Sequence, residues 1–207
     1  MVRVFLDTST NDLLLAVEKD GVVEKYDYSK ATLRVSEGCL VTIKELLEDF
    51  NVTFKDIDEI YVTTGPGSYT GERIGLTIAK TMSVLNKKLK VYTISTLQAM
   101  CLAHQDEVTI ALLDAKNNAY FYGKYLNNKE VEEEERREHV DVVNALNDVK
   151  RINILKSQED LKDRFEGKEV TVVDLVDNMV NNKEAFLLSD DPYTLKPKYL
   201  RGKDARN

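Results

Sequence analysis

Three short apolar runs open the chain, each cut off by turn-forming residues. Residues 2–6, 13–17 and 22–28 alternate or cluster Val, Leu and Tyr as strands do, while Asp7-Thr8-Ser9-Thr10-Asn11-Asp12 and Lys19-Asp20-Gly21 are turn chemistry. Short strands joined this tightly predict a meander at the start of a sheet. The period then changes. Between Ser36 and Phe50, Leu40, Ile43, Leu47 and Phe50 recur at helical spacing, flanked by Val41 and Leu46, with Lys44, Glu45, Glu48 and Asp49 opposite. This stripe is wide. Core packing is its default use, and its width leaves part of it for another protein.

The next run, Ile60-Tyr-Val-Thr-Thr64, is β-branched or aromatic throughout and predicts a strand. The cluster Gly65-Pro66-Gly67 breaks it. A helix follows to about residue 85, with Ser68 or Thr70 as N-cap, Glu72 in the first turn, where its charge suits the dipole, and Ile74, Ile78, Met82 and Leu85 along one face. Residues 91–94 predict a strand, and Ser95-Thr96 caps a helix reaching about His104. Beyond it a fresh hairpin, 107–114 and 119–126 around a turn at 115–118, marks a boundary near residue 105 between a unit of residues 1–105 and a smaller one of 106–207. Residues 127–139 are a charge run. Its four contiguous carboxylates, Glu132 to Glu135, suit a solvated hairpin tip or helix end better than a cation site, whose oxygens must converge. Residues 140–149, 158–165 and 173–180 read as short helices or strand–helix pieces, and 169–173 as a strand. From about residue 195 an extended segment is expected to dock back on the first unit. Pro197 excludes a helix interior there, while Tyr199 and Leu200 can anchor.

Composition narrows the function. The 207 residues carry a net charge of −7, with 43% hydrophobic and 31% charged, an ordinary globular balance. An acidic chain is unsuited to gripping RNA alone, so an RNA role would run through a partner. The basic tail, Lys196, Lys198, Arg201, Lys203 and Arg206, reads first as a solvated terminus and second as a subsidiary RNA contact. Val4-Phe5-Leu6 is followed at once by polar residues, so no signal-peptide core develops, and no apolar run approaches spanning length. A cytoplasmic protein is expected, with Cys39 and Cys101 as buried thiols in helices. His104 and His139 lie too far apart to pair, and no metal site is expected.

Strand, glycine loop and helix start is the geometry in which backbone N–H groups converge on an anion. Neither GxxxxGK[ST] nor GxGxxG is present, so a plain βα turn is the favoured reading of the shape alone. Gly71 and Gly75 weaken a helix; small residues one turn apart suit the close approach of a second helix. At Asp7, Thr8, Ser9 and Thr10, a carboxylate with adjacent hydroxyls suits a hydrated Mg²⁺ and suits an Asx turn at least as well. No nucleophile–base pair is evident, since Ser68 has no nearby His and both cysteines have apolar settings.

As a string, Gly65-Pro66-Gly67-Ser68-Tyr69-Thr70-Gly71-x-Arg73-x-Gly75-Leu76 resembles the signature of the bacterial TsaB (YeaZ) family, the dimerisation subunit of the tRNA threonylcarbamoyladenosine machinery. Three weaker matches follow in order over nearly the whole chain: the Asp7 hairpin, the Asp114-Ala-Lys hairpin with its Tyr120-Phe-Tyr122 strand, and Pro197-x-Tyr-Leu-Arg201. Where relatives read His-Ser-Glu before the first helix, Val35 stands in place of the His. The resemblance implies an α/β, actin-like (ribonuclease H-like) ATPase fold of two lobes, the second reduced. It implies a non-catalytic scaffold that binds a TsaD-type catalytic paralogue and a TsaE-type ATPase, forms a homodimer when alone, and meets tRNA only within the complex. It implies no cofactor on this chain alone, with ATP or ADP at the complex interface. The family's interface helices would put Leu40, Ile43 and Leu47 on one helix and Gly71, Ile74, Gly75, Ile78, Ala79 and Met82 on the other. The catalytic paralogue's His-x-x-x-His helix has no counterpart, and the chain is short for a second lobe with its own adenosine pocket. Two rival classes remain open: a free-standing ATPase or small-molecule kinase using Asp7 and the Gly65–Gly71 loop, and an inactive metallopeptidase-like homologue.

Overall fold

The computed structural model describes residues 1–10, 12–28, 35–104, 106–147, 149 and 151–200, with backbone alone at 27–28 and 35–37. Asn11, the Val35, Ser36 and Glu37 side chains, and the basic positions Arg201, Lys203 and Arg206 therefore lie outside the described residues.

Two mixed sheets carry the fold. The first is built from β1 (Val2–Asp7), β2 (Leu13–Lys19), β3 (Val22–Tyr28), β4 (Glu59–Thr63) and β5 (Lys90–Ile94). β1, β2 and β3 form the expected antiparallel meander, and β1, β4 and β5 run parallel. A two-residue strand from the far end of the chain, Leu187–Leu188, closes the β5 edge. The central strands are apolar on both faces, as strands covered on both sides must be. Helices α1 (Val35–Asp49) and α2 (Tyr69–Leu85) cover the outer face. Val4, Leu6, Leu15, Ile60 and Val62 meet Ile43, Leu47, Ile78 and Met82 there in one buried cluster.

The second sheet has the order β10-β9-β6-β7-β8, from β6 (Thr109–Asp114), β7 (Ala119–Leu126), β8 (Lys129–Glu138), β9 (Arg151–Leu155) and β10 (Glu169–Val173). Helix α3 (Thr96–Cys101) and the late helix α5 (Leu175–Asn181) fill the space between the sheets; α4 (His139–Ala145) packs on the far side. The shared core joins Phe5 and Tyr61 of the first sheet to Leu113 and Tyr125 of the second through Leu97, Met100 and Met179. Two buried amides tie this layer to backbone. Asn178 donates to the Ala99 carbonyl at 3.0 Å and Asn153 to that of Met100 at 2.8 Å.

Several expectations need correction. The helix after Ser95 ends at Cys101, short of His104. The short helical piece expected at 158–165 is present, as 3₁₀ turns over Lys156–Arg164. The acidic run at 129–138 is neither a hairpin tip nor a helix end. It is a ten-residue edge strand, and Glu134 within it is buried.

Candidate functional site

The glycine loop lies directly on the Asp7 turn. Asp7 is fully buried at the end of β1. Its Oδ1 accepts from the Ser9 hydroxyl at 2.6 Å and from the Ser9 N–H, an Asx-type turn, and also from the Thr63 hydroxyl on β4; Oδ2 accepts from the Thr10 hydroxyl at 3.2 Å. Ser9 shares its hydroxyl with that of Thr96 at 2.8 Å. The Thr8 hydroxyl donates to the Gly71 carbonyl at 2.7 Å and accepts from the Gly75 N–H at 3.0 Å. It thus bridges the two groups that an α-helix joins directly. The carboxylate and hydroxyls that resembled a phosphate-facing hairpin are turned inward and occupied by one another. Thr8, Ser9 and Thr10 are all buried.

This packing explains the glycines. A Cβ on Gly67 would sit 2.0 Å from the Ser9 carbonyl oxygen, and one on Gly71 would sit 1.8 Å from that of Thr8. A Cβ on Gly75 would fall 2.7 Å from the Thr8 hydroxyl. Gly71 and Gly75 therefore make room for the chain's own β1–β2 turn, which corrects their assignment to a second subunit. Gly65 takes φ +96°, a conformation that favours glycine. Ser68 caps α2 by accepting from the Gly71 N–H at 3.3 Å, while Tyr69 and Thr70 are exposed. Pro66 is buried in the turn.

Glu72 did not stand out in the sequence beyond its helix-dipole role. It is 2% exposed and folds back under the loop, so close that a Gly65 Cβ would lie 2.5 Å from its Oε1. Burial pushes its carboxyl up to about 7; the Gly67 N–H opposes the shift, and the nearby Asp7 charge adds to it. Its Oε2 has no hydrogen-bond partner among the described residues.

The proposed interface residues divide sharply. Ile43, Leu47, Ala79 and Met82 are buried in their own unit's core, where they cannot anchor a neighbour, and Ile78 is buried with them except where it reaches the groove between the helices. Helical periodicity located the apolar stripe correctly but assigned its inner face to a partner. Leu40 is 54% exposed, and Val41, Val84 and Leu85 are likewise exposed; Ile74 is half-buried. A shallow groove of about 330 Å³ runs between α1 and α2, walled by Leu40, Ile74, Thr77 and Tyr69, with Cys39 and Ile78 at its floor. Burial pushes the Cys39 thiol up to about 12, so it is an inert apolar surface there.

The last described residues strap α2 at both ends, and at the N-terminal end they meet Tyr69 and Arg73, which also line the groove. At the helix's C-terminal end, Lys87 donates to the Tyr193 hydroxyl at 2.6 Å. At its N-terminal end, Arg73 Nε donates to the Tyr199 hydroxyl at 2.7 Å, and Arg73 lies 3.9 Å above the Tyr69 ring, which stacks on Tyr199. Between them, the Lys198 N–H donates to the Thr64 carbonyl at 2.8 Å, and its ammonium pairs with Glu134 at 3.0 Å. Glu134 also accepts from the Ser95 and Tyr125 hydroxyls. A second cleft, about 270 Å³, separates Ser9, Thr10, Gly67 and Ser68 from Asp114 and Lys116 of the β6–β7 turn. Among the described residues, no group of three or more His, Cys, Asp or Glu side chains could hold a metal ion, and no helix is long and apolar enough to cross a membrane.

A meander continued by parallel strands, a βα glycine turn over an inward Asp hairpin, and a second helix-covered sheet define the actin-like ATPase class of α/β folds. The family model described as "TsaD: tRNA N6-adenosine threonylcarbamoyltransferase" matches residues 29–182. The chain belongs to that family and, within it, to the TsaB (YeaZ) group. The Bacillus subtilis (strain 168) "tRNA threonylcarbamoyladenosine biosynthesis protein TsaB" is 31% identical over 129 residues, 60% of this chain and 55% of that protein. The match thus spans little more than half of the relative's length. Mycoplasma pneumoniae protein "MG208 homolog" is 25% identical across 96% of this chain and 94% of its own. The structure of YeaZ from Pseudomonas aeruginosa superposes with a TM-score of 0.71 at 17% identity, covering 96% of this chain and 99% of that one, which speaks for the fold.

Proposed function

We propose that this protein is a non-catalytic subunit in tRNA threonylcarbamoyladenosine synthesis, and that the exposed α1–α2 groove docks a TsaD-type catalytic paralogue. In this reading the same face self-associates when the paralogue is missing, a TsaE-type ATPase joins the assembly, and tRNA is acted on by the complex. The observation that carries it is the contrast between the two halves of the motif. The phosphate-type groups at Asp7–Thr10 are spent on internal hydrogen bonds, while the helix launched beside them keeps an apolar outer flank. An unpartnered apolar groove rimmed by polar residues is the mark of a protein contact.

The test uses exposed residues of the two helices. Leu40→Asp combined with Leu85→Asp should abolish capture of the TsaD-type paralogue in a purified pull-down and leave the melting temperature unchanged. Capture at wild-type strength would defeat the assignment. ATP or ADP, in this reading, sits at the junction with the partner. Calorimetry on the chain alone should accordingly detect no ADP binding in the millimolar range.

A further inference from the structure

We infer that one end of the α1–α2 groove is a carboxylate receptor. There the Arg73 guanidinium, held by Tyr69 and Tyr199, takes an acidic side chain of the docked paralogue, while the groove takes that side chain's apolar neighbours. The inference rests on the docking reading above. It adds the charge the partner's segment must carry and the side chains that select it.

The groove is chemically lopsided. Leu40, Ile74, Thr77 and Ile78 form its body, apolar or small. Among the described residues Arg73 alone of its lining is charged, and it stands at the end where α2 begins. Among the described residues Arg73 also makes no ion pair. Its neighbour Glu72, the only acidic residue of α2, is 2% exposed and folded under the glycine loop. The positive end of the α2 dipole reinforces the cation at the same place.

The guanidinium is aimed before anything docks. Its Nε donates to the Tyr199 hydroxyl at 2.7 Å and its Nη2 to the Tyr69 hydroxyl. The two rings stack with centroids 5.1 Å apart, and the guanidinium carbon lies 3.9 Å from the Tyr69 centroid. Both acceptors are neutral, so the charge is not cancelled, and among the described residues Nη1 has no hydrogen-bond partner. A carboxylate is the planar anion that matches such a fork of N–H groups. Tyr199 is fixed in turn from the second sheet. The adjacent Lys198 donates its N–H to the Thr64 carbonyl at 2.8 Å and pairs its ammonium with the buried Glu134 of β8 at 3.0 Å. Side chains ordered in advance lose less freedom on binding.

An apolar groove by itself accepts any apolar segment of suitable size. A cation at a defined end gives it a direction: the segment must enter with a carboxylate over the start of α2, and a basic group there is repelled. On a chain of net charge −7, it also supplies local attraction for an acidic segment.

The experiment is calorimetric titration of the full chain with the purified TsaD-type paralogue, at low and high salt, with and without ADP. Wild type is compared with Arg73→Gln, Arg73→Lys, Tyr199→Phe and the Leu40→Asp, Leu85→Asp double variant. Arg73 and Tyr199 are surface residues, and equal melting temperatures check that each variant is folded. Without nucleotide, Arg73→Gln should weaken binding about fivefold at low salt and reduce the difference between low and high salt. Arg73→Lys keeps the charge and loses the fork, so it should retain the salt dependence with part of the affinity lost. Tyr199→Phe keeps the stack and deletes the hydroxyl. It should weaken binding by a smaller factor and add nothing in the Arg73→Gln background, because it acts through Arg73. Wild-type affinity and salt dependence in Arg73→Gln, with binding abolished in the double variant, would overturn this inference and leave the docking reading standing. Undiminished binding by the double variant would overturn both. An Arg73→Gln effect that appears only with ADP present would assign the guanidinium to a phosphate and overturn the inference as well.

Discussion

Glu72 sets the behaviour of the loop at the scale of a single side chain. A carboxyl that titrates near 4.5 in the open chain is held at about 7 when folded, chiefly by burial. The folded state therefore binds the proton more tightly than the unfolded one. Stability from this group is full below pH 4.5, declines as pH rises toward 7, and is flat above. The span corresponds to about 3 kcal/mol. Urea unfolding of wild type and Glu72→Gln at pH 5 and pH 8 checks it. The wild type should lose stability relative to the variant on going to pH 8, and an equal difference at both values would refute it. The turn it supports leaves little freedom, because Gly67 and Gly71 already touch the Ser9 and Thr8 carbonyls.

At the scale of elements, the strap depends on a residue that no pattern flagged. Glu134 sits in a row of acidic side chains on an edge strand, and its neighbours Glu132 and Glu133 do face outward. The β7–β8 register shifts at this point, between Tyr122, Lys124 and Tyr125, and this break in strict alternation turns the one side chain inward, to Ser95, Tyr125 and Lys198. Glu134→Ala should free the strap and cost about 2 kcal/mol, in the range of lost charged hydrogen bonds. Hydrogen exchange at the Lys198 amide, bonded to Thr64 in the wild type, should speed up while α2 stays protected. What could be read from the chain follows the same logic. The meander, the strand–glycine–helix unit and both hairpins have local signals: β-branched runs, turn residues and a Ser68 cap. Burial of Ile43 and Ile78 was legible as a stripe, but periodicity reports that a face is covered and not what covers it. Gly71 and Gly75 signalled close approach; the partner, the Thr8 backbone, is 63 residues away in sequence from Gly71. Glu134 has no local signature, because an edge strand of carboxylates and a solvated tip have the same composition.

The whole molecule shares one interior despite having two sheets. Phe5, Leu14 and Tyr61 from the first sheet, and Ala111, Leu113 and Tyr125 from the second, belong to one buried cluster with α3 and α5 between them. Tyr61 stacks on Phe5 at 4.8 Å between ring centroids and meets Phe186, from the end of the chain, edge-on at 5.2 Å. Leu187 and Leu188 then complete the first sheet's edge. The boundary near residue 105 marks a change of sheet in the sequence, yet residues 1–105 alone would lose α5, Phe186 and that edge strand. We therefore expect a single unfolding transition. Far-ultraviolet circular dichroism and tyrosine fluorescence should give coincident urea midpoints, because removing either layer exposes the other's core. A fragment of residues 1–105 should fail to fold under conditions where the full chain is stable. Two resolved transitions, or a cooperatively melting fragment, would mean that the α3–α5 layer belongs to one sheet only. The proposed docking face rests on a different cluster. Ile43, Leu47, Ile78 and Met82 anchor α1 and α2 to the outer face of the first sheet, so a partner seated in the proposed groove would meet a preformed surface.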